Sequence, residues 1–360
     1  MKIPVLYQID RAFCKYRHRR RLRNKLSRYK YIHVLPYGGI HSGTITNFIN
    51  KYFDNSEHAF LFRGRSETSQ GLREKYNNVF IGKPKCIPLS SCKKIIWHSL
   101  LDQRFVKFLY KNKRYLKKSY WFIWGGDLYF APDNERNNYV KSNVAGILTA
   151  FDSKEYENKY GLKKCYDVTY PHATSNLPKS RDGMDKKSIN ILVNNCADET
   201  TIEMLHILSR FKEYDINIYT VLSYVAANQT DKRLDIMYSG YELFGNKFHP
   251  MLKYLDTSEY SEFLSSIDIY ISNQNRPQGN GNASQILSNG GKIFVKSGTG
   301  IYERYNSIGI RYFDTNEIQN MTFEQFVEYD NETKERSVRL LRQRMADETK
   351  VQQWKAFFED

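Results

Sequence analysis

The chain has only five cysteines in 360 residues: Cys14, Cys86, Cys92, Cys165 and Cys196. They are odd in number and scattered, with no CxxC spacing. This excludes a disulfide framework and a thiolate metal site, and reads as reduced thiols of a cytosolic protein. The eight histidines form no HExxH or HxH pair. A DxD triplet, a common manganese–nucleotide signature, is absent too. No divalent metal and no other cofactor is therefore implied. Long apolar runs are also missing. No stretch approaches the length of a transmembrane helix, and the N-terminus lacks the apolar core of a signal peptide. No nucleic-acid-binding motif occurs, so nucleic acid is not an expected partner.

The hydrophobic content of 41% suffices for real cores, and 28 Tyr and 21 Phe make the chain rich in aromatics. At this length two domains of ordinary size are expected. The net charge of +16 is unevenly placed. Residues 1–30 hold eleven Lys/Arg against the single acid Asp10, giving +10, so the other 330 residues carry only +6. Within this segment Val5, Leu6, Ile9, Phe13 and Tyr16 recur at helical spacing behind Pro4. Arg17, Arg19, Arg20, Arg21, Arg23 and Lys25 follow. An apolar stripe running into a polybasic block suits a peripheral helix on an anionic bilayer, where each basic residue contributes about 1 kcal/mol. A solvated basic tail is the plainer alternative, and nucleic acid a third and less favoured reading.

From residue 31 on, short apolar runs alternate with helix-like segments. Strands are expected at 31–35, 59–62, 79–81, 94–97, 120–124 and 146–149, then at 189–193, 216–222, 248–252 and 267–272. Such alternation means parallel sheets covered on both faces. The polar stretch 173–187, with Pro178 and Gly183, reads as a linker. The expected organisation is a basic membrane-surface segment (1–30), a first Rossmann-like domain (31–172), the linker (173–187), a second Rossmann-like domain (188–322) and a charged helical segment (323–360). That last segment closes the second domain, with the option of packing back on the first. Two doubly wound α/β domains facing a central cleft is the natural architecture, with ligands beyond the carboxyl ends of the strands.

The most informative stretch is Arg276-Pro277-Gln278-Gly279-Asn280-Gly281-Asn282. It follows the apolar run 267–272 and leads into a short helix, 283–289, which Gly290-Gly291 stop before another apolar run, 292–295. A glycine-rich turn at a strand's carboxyl end leaves helix N-terminal amides free for phosphate, and a sugar nucleotide carries two. The glycines could equally serve only to turn the chain.

Ile123-Trp124-Gly125-Gly126-Asp127-Leu128-Tyr129 resembles the IWGADLY motif of the TDP-Fuc4NAc:lipid II Fuc4NAc transferases (Fuc4NAc is 4-acetamido-4,6-dideoxygalactose). Ile32-His33-Val34-Leu35 is similar to that family's opening strand. Ile191-Leu192-Val193-Asn194-Asn195-Cys196-Ala197-Asp198 resembles its ILVGNSGD turn, and Arg276–Asn282 its RQQGIGT loop. The four motifs keep their order over about residues 31–315. Two departures stand out: Asn194 replaces the family's first glycine, and Asn280 its loop isoleucine. The resemblance implies a GT-B glycosyltransferase. The implied enzyme is a hexosyltransferase needing no metal. It would move a deoxy-amino sugar from a TDP-sugar to a polyprenyl-diphosphate-linked oligosaccharide. The expected place is the cytoplasmic face of the bacterial inner membrane, in enterobacterial common antigen or O-antigen synthesis.

Glycosyl transfer needs stabilisation of the departing diphosphate and a base for the acceptor hydroxyl. Gly279, Asn280, Gly281 and Asn282 could supply amides and Arg276 the positive charge, with Gln278 in the same loop. Asn195 and Asp198 are placed to hydrogen-bond the donor, although Asp198 is also a good N-cap for the helix after it. Tyr224 matches a family position and could stack on the base or simply pack. Asp127 is the first candidate base; it could instead hold the Gly125-Gly126 turn or cap the helix starting near Asn134. His41 and His98 are its rivals. Trp124 and Tyr129, with the two glycines, are expected on the acceptor side. Two other functions fit the same pattern: a nucleotide-sugar epimerase of GT-B shape, and a non-catalytic module recruited to membranes.

Overall fold

The computed structural model describes residues 5–36, 38–171, 188–223 and 230–360, with the side chains of 5–15, 40, 230 and 231 left aside. The expected linker 173–187 and Tyr224 fall outside the described residues. The chain divides into two compact units, 1–173 with 350–360, and 174–349.

In the first unit β1 (Tyr31–Leu35), β2 (His58–Phe62), β3 (Val79–Ile81), β4 (Lys94–His98), β5 (Ser119–Phe122), β6 (Gly146–Leu148) and β7 (Cys165–Tyr166) form one sheet. Its order is β3-β2-β1-β4-β5-β6-β7. In the second unit β8 (Ile189–Val193), β9 (Ile216–Val221), β10 (Phe248–Met251), β11 (Ile269–Ser272), β12 (Lys292–Val295) and β13 (Phe313–Asp314) follow the order β10-β9-β8-β11-β12-β13. Every pairing is parallel. The central strands β1, β2, β4, β11 and β12 are buried along their whole length. That explains why they read as continuous apolar runs with little alternation: helices cover both faces of such a sheet.

Strand order reverses once in each sheet, between β1 and β4 and between β8 and β11. Loops leaving the paired strands diverge there and open a crevice at the carboxyl edge. Among the described residues, only Ser99 (φ +74°) and Asn194 (φ +54°) are non-glycine residues with a left-handed backbone. Each directly follows a strand at one of these two points. Asn is among the few residues that tolerate this region. That explains how Asn194 can stand where the resembled family has glycine.

The C-terminal segment forms helices Phe323–Val327, Asn331–Met345 and Asp347–Glu359. Lys292 anchors the first, donating to the carbonyls of Gln325 (2.8 Å), Phe326 (3.0 Å) and Glu328 (2.7 Å) at its C-terminal end. The chain from residue 350 belongs to the first unit. There Trp354, Phe357 and Phe358 are buried with Ile96, Phe122 and Leu148. Tyr31 Oη donates to the Phe358 carbonyl (2.8 Å), Lys94 Nζ to that of Phe357, and Lys164 Nζ to the Asp360 carboxylate (2.6 Å).

The basic N-terminal segment forms the helix Val5–Leu26, whose C-terminal end is seated in the first unit rather than forming a solvated tail. Leu22 and Leu26 are buried in the core with Ile32, Ile87 and Leu61. A side chain at Gly82 would come within 2.4 Å of Leu22 Cδ2, so the helix lies directly on that backbone. Arg19, Arg20, Arg21, Arg23 and Lys25 face solvent. No helix among the described residues is long and apolar enough to cross a membrane.

Candidate functional site

The reversal point of the second sheet gathers most of the expected donor residues. Asn194 directly follows β8 and ties three segments together. Its side-chain oxygen accepts from the Asn273 amide (2.9 Å) beyond β11, and its Nδ2 donates to Thr200 Oγ1 (3.1 Å) and Thr201 Oγ1 (2.9 Å). Asp198 caps the helix Glu199–Leu208, accepting from the Thr200 amide (3.0 Å). Its other oxygen accepts from Gln274 Nε2 (2.7 Å). The cap alternative therefore describes Asp198 as observed, with a cross-link to the β11 loop added. Cys196 Sγ accepts from Gln274 Nε2 (3.1 Å) and Gln278 Nε2 (2.9 Å). Burial pushes the Cys196 thiol up, and the nearby Asp198 charge adds to this. Arg276 is half-buried and its charge acts on the same thiol in the opposite sense.

The helix after β11 begins at Asn280, three residues before the expected start, so Gly281 and Asn282 form part of its first turn. Gly279 is the N-cap, left-handed at φ +66°, and no side chain caps the helix. The first-turn amides are thus left to other partners. The turn is braced from outside: Tyr305 Oη donates to Asn280 Oδ1 (2.9 Å) and Asn282 Nδ2 to Tyr260 Oη (2.8 Å). Nothing stands within 4 Å of where a Gly281 side chain would point. Around the turn, Asn195 Oδ1, Gln274 Oε1, Gln278 Oε1, Tyr270 Oη and Ser284 Oγ are buried without a hydrogen-bond partner. Buried polar atoms are rarely left so. The free first-turn amides and the Tyr270 and Ser284 hydroxyls are suited to an anionic group, and the three amide oxygens to a hydroxyl- or N–H-bearing part of the same ligand.

The first unit treats its three candidate bases differently. His98 is a correction. It is fully buried, and its Nε2 lies 2.9 Å from His33 Nδ1, while His33 Nε2 lies 3.2 Å from His58 Nδ1. Burial holds His98 and His58 down at about 3. Burial, then the neighbouring His98 and His58, hold His33 well below the usual imidazole value. A neutral imidazole enclosed by Phe122, Tyr170 and Trp354 rings cannot reach a substrate hydroxyl.

Asp127 is the second correction. A base must reach its substrate, but Asp127 is 1% exposed and its carboxylate is already committed. Oδ2 accepts from the Leu100 amide (2.9 Å) and Trp121 Nε1 (2.5 Å), and Oδ1 from the Trp124 amide (2.9 Å). Asp127 therefore staples the loop after β4 to the loop after β5, the turn-holding alternative. The helix after it has its own cap, Asn134. Below the carboxylate, buried Lys141 donates to the Asp127 carbonyl and lies over the Trp121 ring. Burial lowers its pKa to about 8. Gly125, at φ +85°, makes the turn.

His41 remains at the surface, in the first turn of the helix Ile40–Tyr52 at the carboxyl end of β1. Its ring lies 5.6 Å from that of Trp124 and 6.1 Å from Tyr170, and Tyr170 Oη donates to its carbonyl (2.9 Å). Partial burial of the ring lowers its pKa, so the neutral, proton-accepting form dominates at neutral pH. Trp124 is half-buried beside it. Tyr129 donates to Asp152 Oδ1 (3.0 Å) and so faces inward.

Sequence reasoning missed Asp152, Gln274 and Tyr270. Burial raises Asp152 to about 6. Its position one turn beyond β6 was the only local signal. Tyr270 reads as an ordinary core aromatic of its strand. Among the described residues no group of three or more His, Cys, Asp or Glu side chains is placed to hold a metal ion.

No protein-family model matches the sequence, and no curated protein matches it. Solved structures do match in fold. Anabaena HepE, in complex with UDP and glucose, has a TM-score of 0.63 at 11% identity, covering 92% of this chain and 99% of its own. An α,α-trehalose-phosphate synthase (UDP-forming) from Burkholderia vietnamiensis has 0.59 at 8% identity, covering 91% and 98%. A Listeria monocytogenes protein assigned as a UDP-N-acetylglucosamine 2-epimerase has 0.53 at 10%, covering 92% and 97%. With its two parallel-sheet α/β units, this chain has the GT-B fold.

Proposed function

We propose that the protein is a glycosyltransferase that takes its sugar from a nucleoside-diphosphate donor held at the reversal point of the second sheet. The observation that carries this reading is the uncapped helix start at Gly279, ringed by buried polar atoms without partners. The leaving diphosphate would meet the amides of Asn280, Gly281 and Asn282, with Arg276 supplying charge. This arrangement asks for no metal. Asn195, Gln274 and Gln278 would read hydroxyl or N–H donors on the ligand. On the first unit, His41 is the base, taking the acceptor hydroxyl's proton beside Trp124. Asp127 shapes that surface by joining two loops.

The resemblance to the Fuc4NAc transferases supports a TDP-linked deoxy-amino sugar as donor and a polyprenyl-diphosphate-linked oligosaccharide as acceptor. The exposed arginines of the N-terminal helix support work at an anionic membrane surface, on the cytoplasmic face of a bacterial inner membrane. The product would enter a surface polysaccharide such as common antigen or O-antigen. The test is turnover of purified protein with a panel of TDP- and UDP-sugars, with and without polyprenyl-diphosphate oligosaccharide. Acceptor-dependent release of nucleoside diphosphate is expected. A second reading, a sugar-nucleotide epimerase, is favoured by the fold likeness to the Listeria protein. Sugar isomerised or released equally well without acceptor would establish it instead.

A further inference from the structure

Tyr270 lies in β11 and is fully buried, and its hydroxyl meets no partner at good hydrogen-bond geometry among the described residues, with only a minor interaction with Ser272 on the same strand. The hydroxyl is not pointed at random. A side-chain carbon built on Gly279 would sit 2.1 Å from Tyr270 Oη and 3.2 Å from Asn195 Cγ. The phenol therefore reaches up beneath Gly279, into the space that only a glycine leaves open. It arrives at the N-cap of the helix Asn280–Ser288, where first-turn amides also lack a side-chain cap. Asn195 Oδ1, whose side chain approaches the same glycine, is buried and unpartnered too. The loop after β8 and strand β11 thus bring polar atoms to one backbone position.

We infer that Tyr270 is a ligand-binding residue whose hydroxyl donates a hydrogen bond, through the gap at Gly279, to an anionic oxygen seated on the first turn of this helix. The inference rests on the proposed binding of a nucleoside-diphosphate sugar at the same turn, and assigns the phosphate end of that ligand to Gly279 and Tyr270. A buried hydroxyl without a well-formed hydrogen bond costs stability, so the fold alone gives little reason to keep it. Tyr270 stays protonated at neutral pH, because burial first, then the nearby Tyr260, push its pKa up and outweigh the minor hydrogen-bonding contribution of Ser272. It is therefore a donor, the role a phosphate oxygen requires. The three amide oxygens of Asn195, Gln274 and Gln278 are acceptors, and fit the hydroxyl- or N–H-bearing part of the ligand instead. Polarity divides the site into an anion end and a hydroxyl-reading end.

The experiment is Tyr270→Phe, which removes one oxygen and keeps the ring. Wild type and variant are titrated calorimetrically at pH 7 with TDP, UDP and inorganic pyrophosphate, and melted without ligand. The variant is expected to melt close to the wild-type temperature, since only the minor contact with Ser272 is lost in the free protein. Its affinity for the nucleotide the wild type binds should fall about 10- to 100-fold, the range for one hydrogen bond to a charged group. If a nucleoside diphosphate binds both proteins equally, the role of Tyr270 is overturned and the proposed function stands. If the wild type binds pyrophosphate but neither nucleotide, and the variant loses pyrophosphate, the anion site is upheld and the nucleotide reading fails. If the wild type binds none of the three, both are overturned.

Discussion

Lowering the pH from 7 to 5 should destabilise the first unit by about 3 kcal/mol, because it encloses neutral imidazoles at its centre. His58 and His98 are each held at about 3 by burial, whereas an unfolded imidazole titrates near ~6.5. The folded value lies below the unfolded one. The stability these groups contribute is therefore whole above roughly pH 6.5 and is lost as the pH falls towards 3. At pH 5 the unfolded chain has bound both protons and the folded chain neither. Relative to pH 7 this costs about 2 kcal/mol per histidine, or about 4 kcal/mol for the two. His33, depressed in the same direction, adds to the loss. Asp152 opposes it. Raised to about 6 by burial, it takes its proton first in the folded state and returns about 1 kcal/mol over the same interval. The assay is urea unfolding followed by tryptophan emission. All four tryptophans, Trp97, Trp121, Trp124 and Trp354, lie in the first unit, so the signal reports that unit alone. The midpoint should drop by roughly 1–2 M between pH 7 and pH 5. An unchanged midpoint would refute the buried, neutral histidine cluster.

Four further outcomes are expected. His41→Ala should lower turnover about 10²- to 10⁴-fold, the usual loss of a general base, with an unaltered melting temperature; full activity would remove His41 from the chemistry. Asp127→Asn should lower melting temperature and turnover together, by about 1–3 kcal/mol in stability, since one oxygen that accepts from the Trp124 amide, or from the Leu100 amide and Trp121, becomes a donor. A turnover loss at constant melting temperature would restore its role as base. Gly279→Ala should abolish nucleotide binding and cost about 1–2 kcal/mol from the left-handed backbone alone, before the overlap with Tyr270; wild-type affinity in calorimetry would contradict the close approach. Replacing Arg19, Arg20, Arg21 and Arg23 together with Gln should weaken binding to anionic vesicles by about 1 kcal/mol per charge. Equal vesicle binding would show that the helix has another role. Because Leu22 and Leu26 are buried, this charge swap is a cleaner test than deleting residues 1–30, which would also uncover the core.

The amino-acid sequence by itself determined the two series of parallel strands, since central strands such as Tyr31–Leu35 and Ile269–Ser272 are buried throughout and so announce themselves as unbroken apolar runs. It also determined the glycine-rich turn at Gly279, because few other residues adopt that backbone. It left open which side of the chain each polar group would take. Asp127 and His41 are both plausible bases in a linear reading. Only the packing of the β4 and β5 loops buries the first among amide and indole donors and leaves the second at the surface. The histidine cluster required the pairing of β1 with β2 and of β1 with β4, three strands far apart in the chain. Tyr270 looked like any core aromatic until Gly279 was found above its hydroxyl. The helix Asp347–Glu359 has an apolar stripe that any core would accept. Its place in the first unit rests on partners more than 180 residues away, Tyr31, Lys94 and Lys164. Local periodicity reports what a segment buries; what it is buried against depends on long-range contacts, and those decided the chemistry of both candidate surfaces.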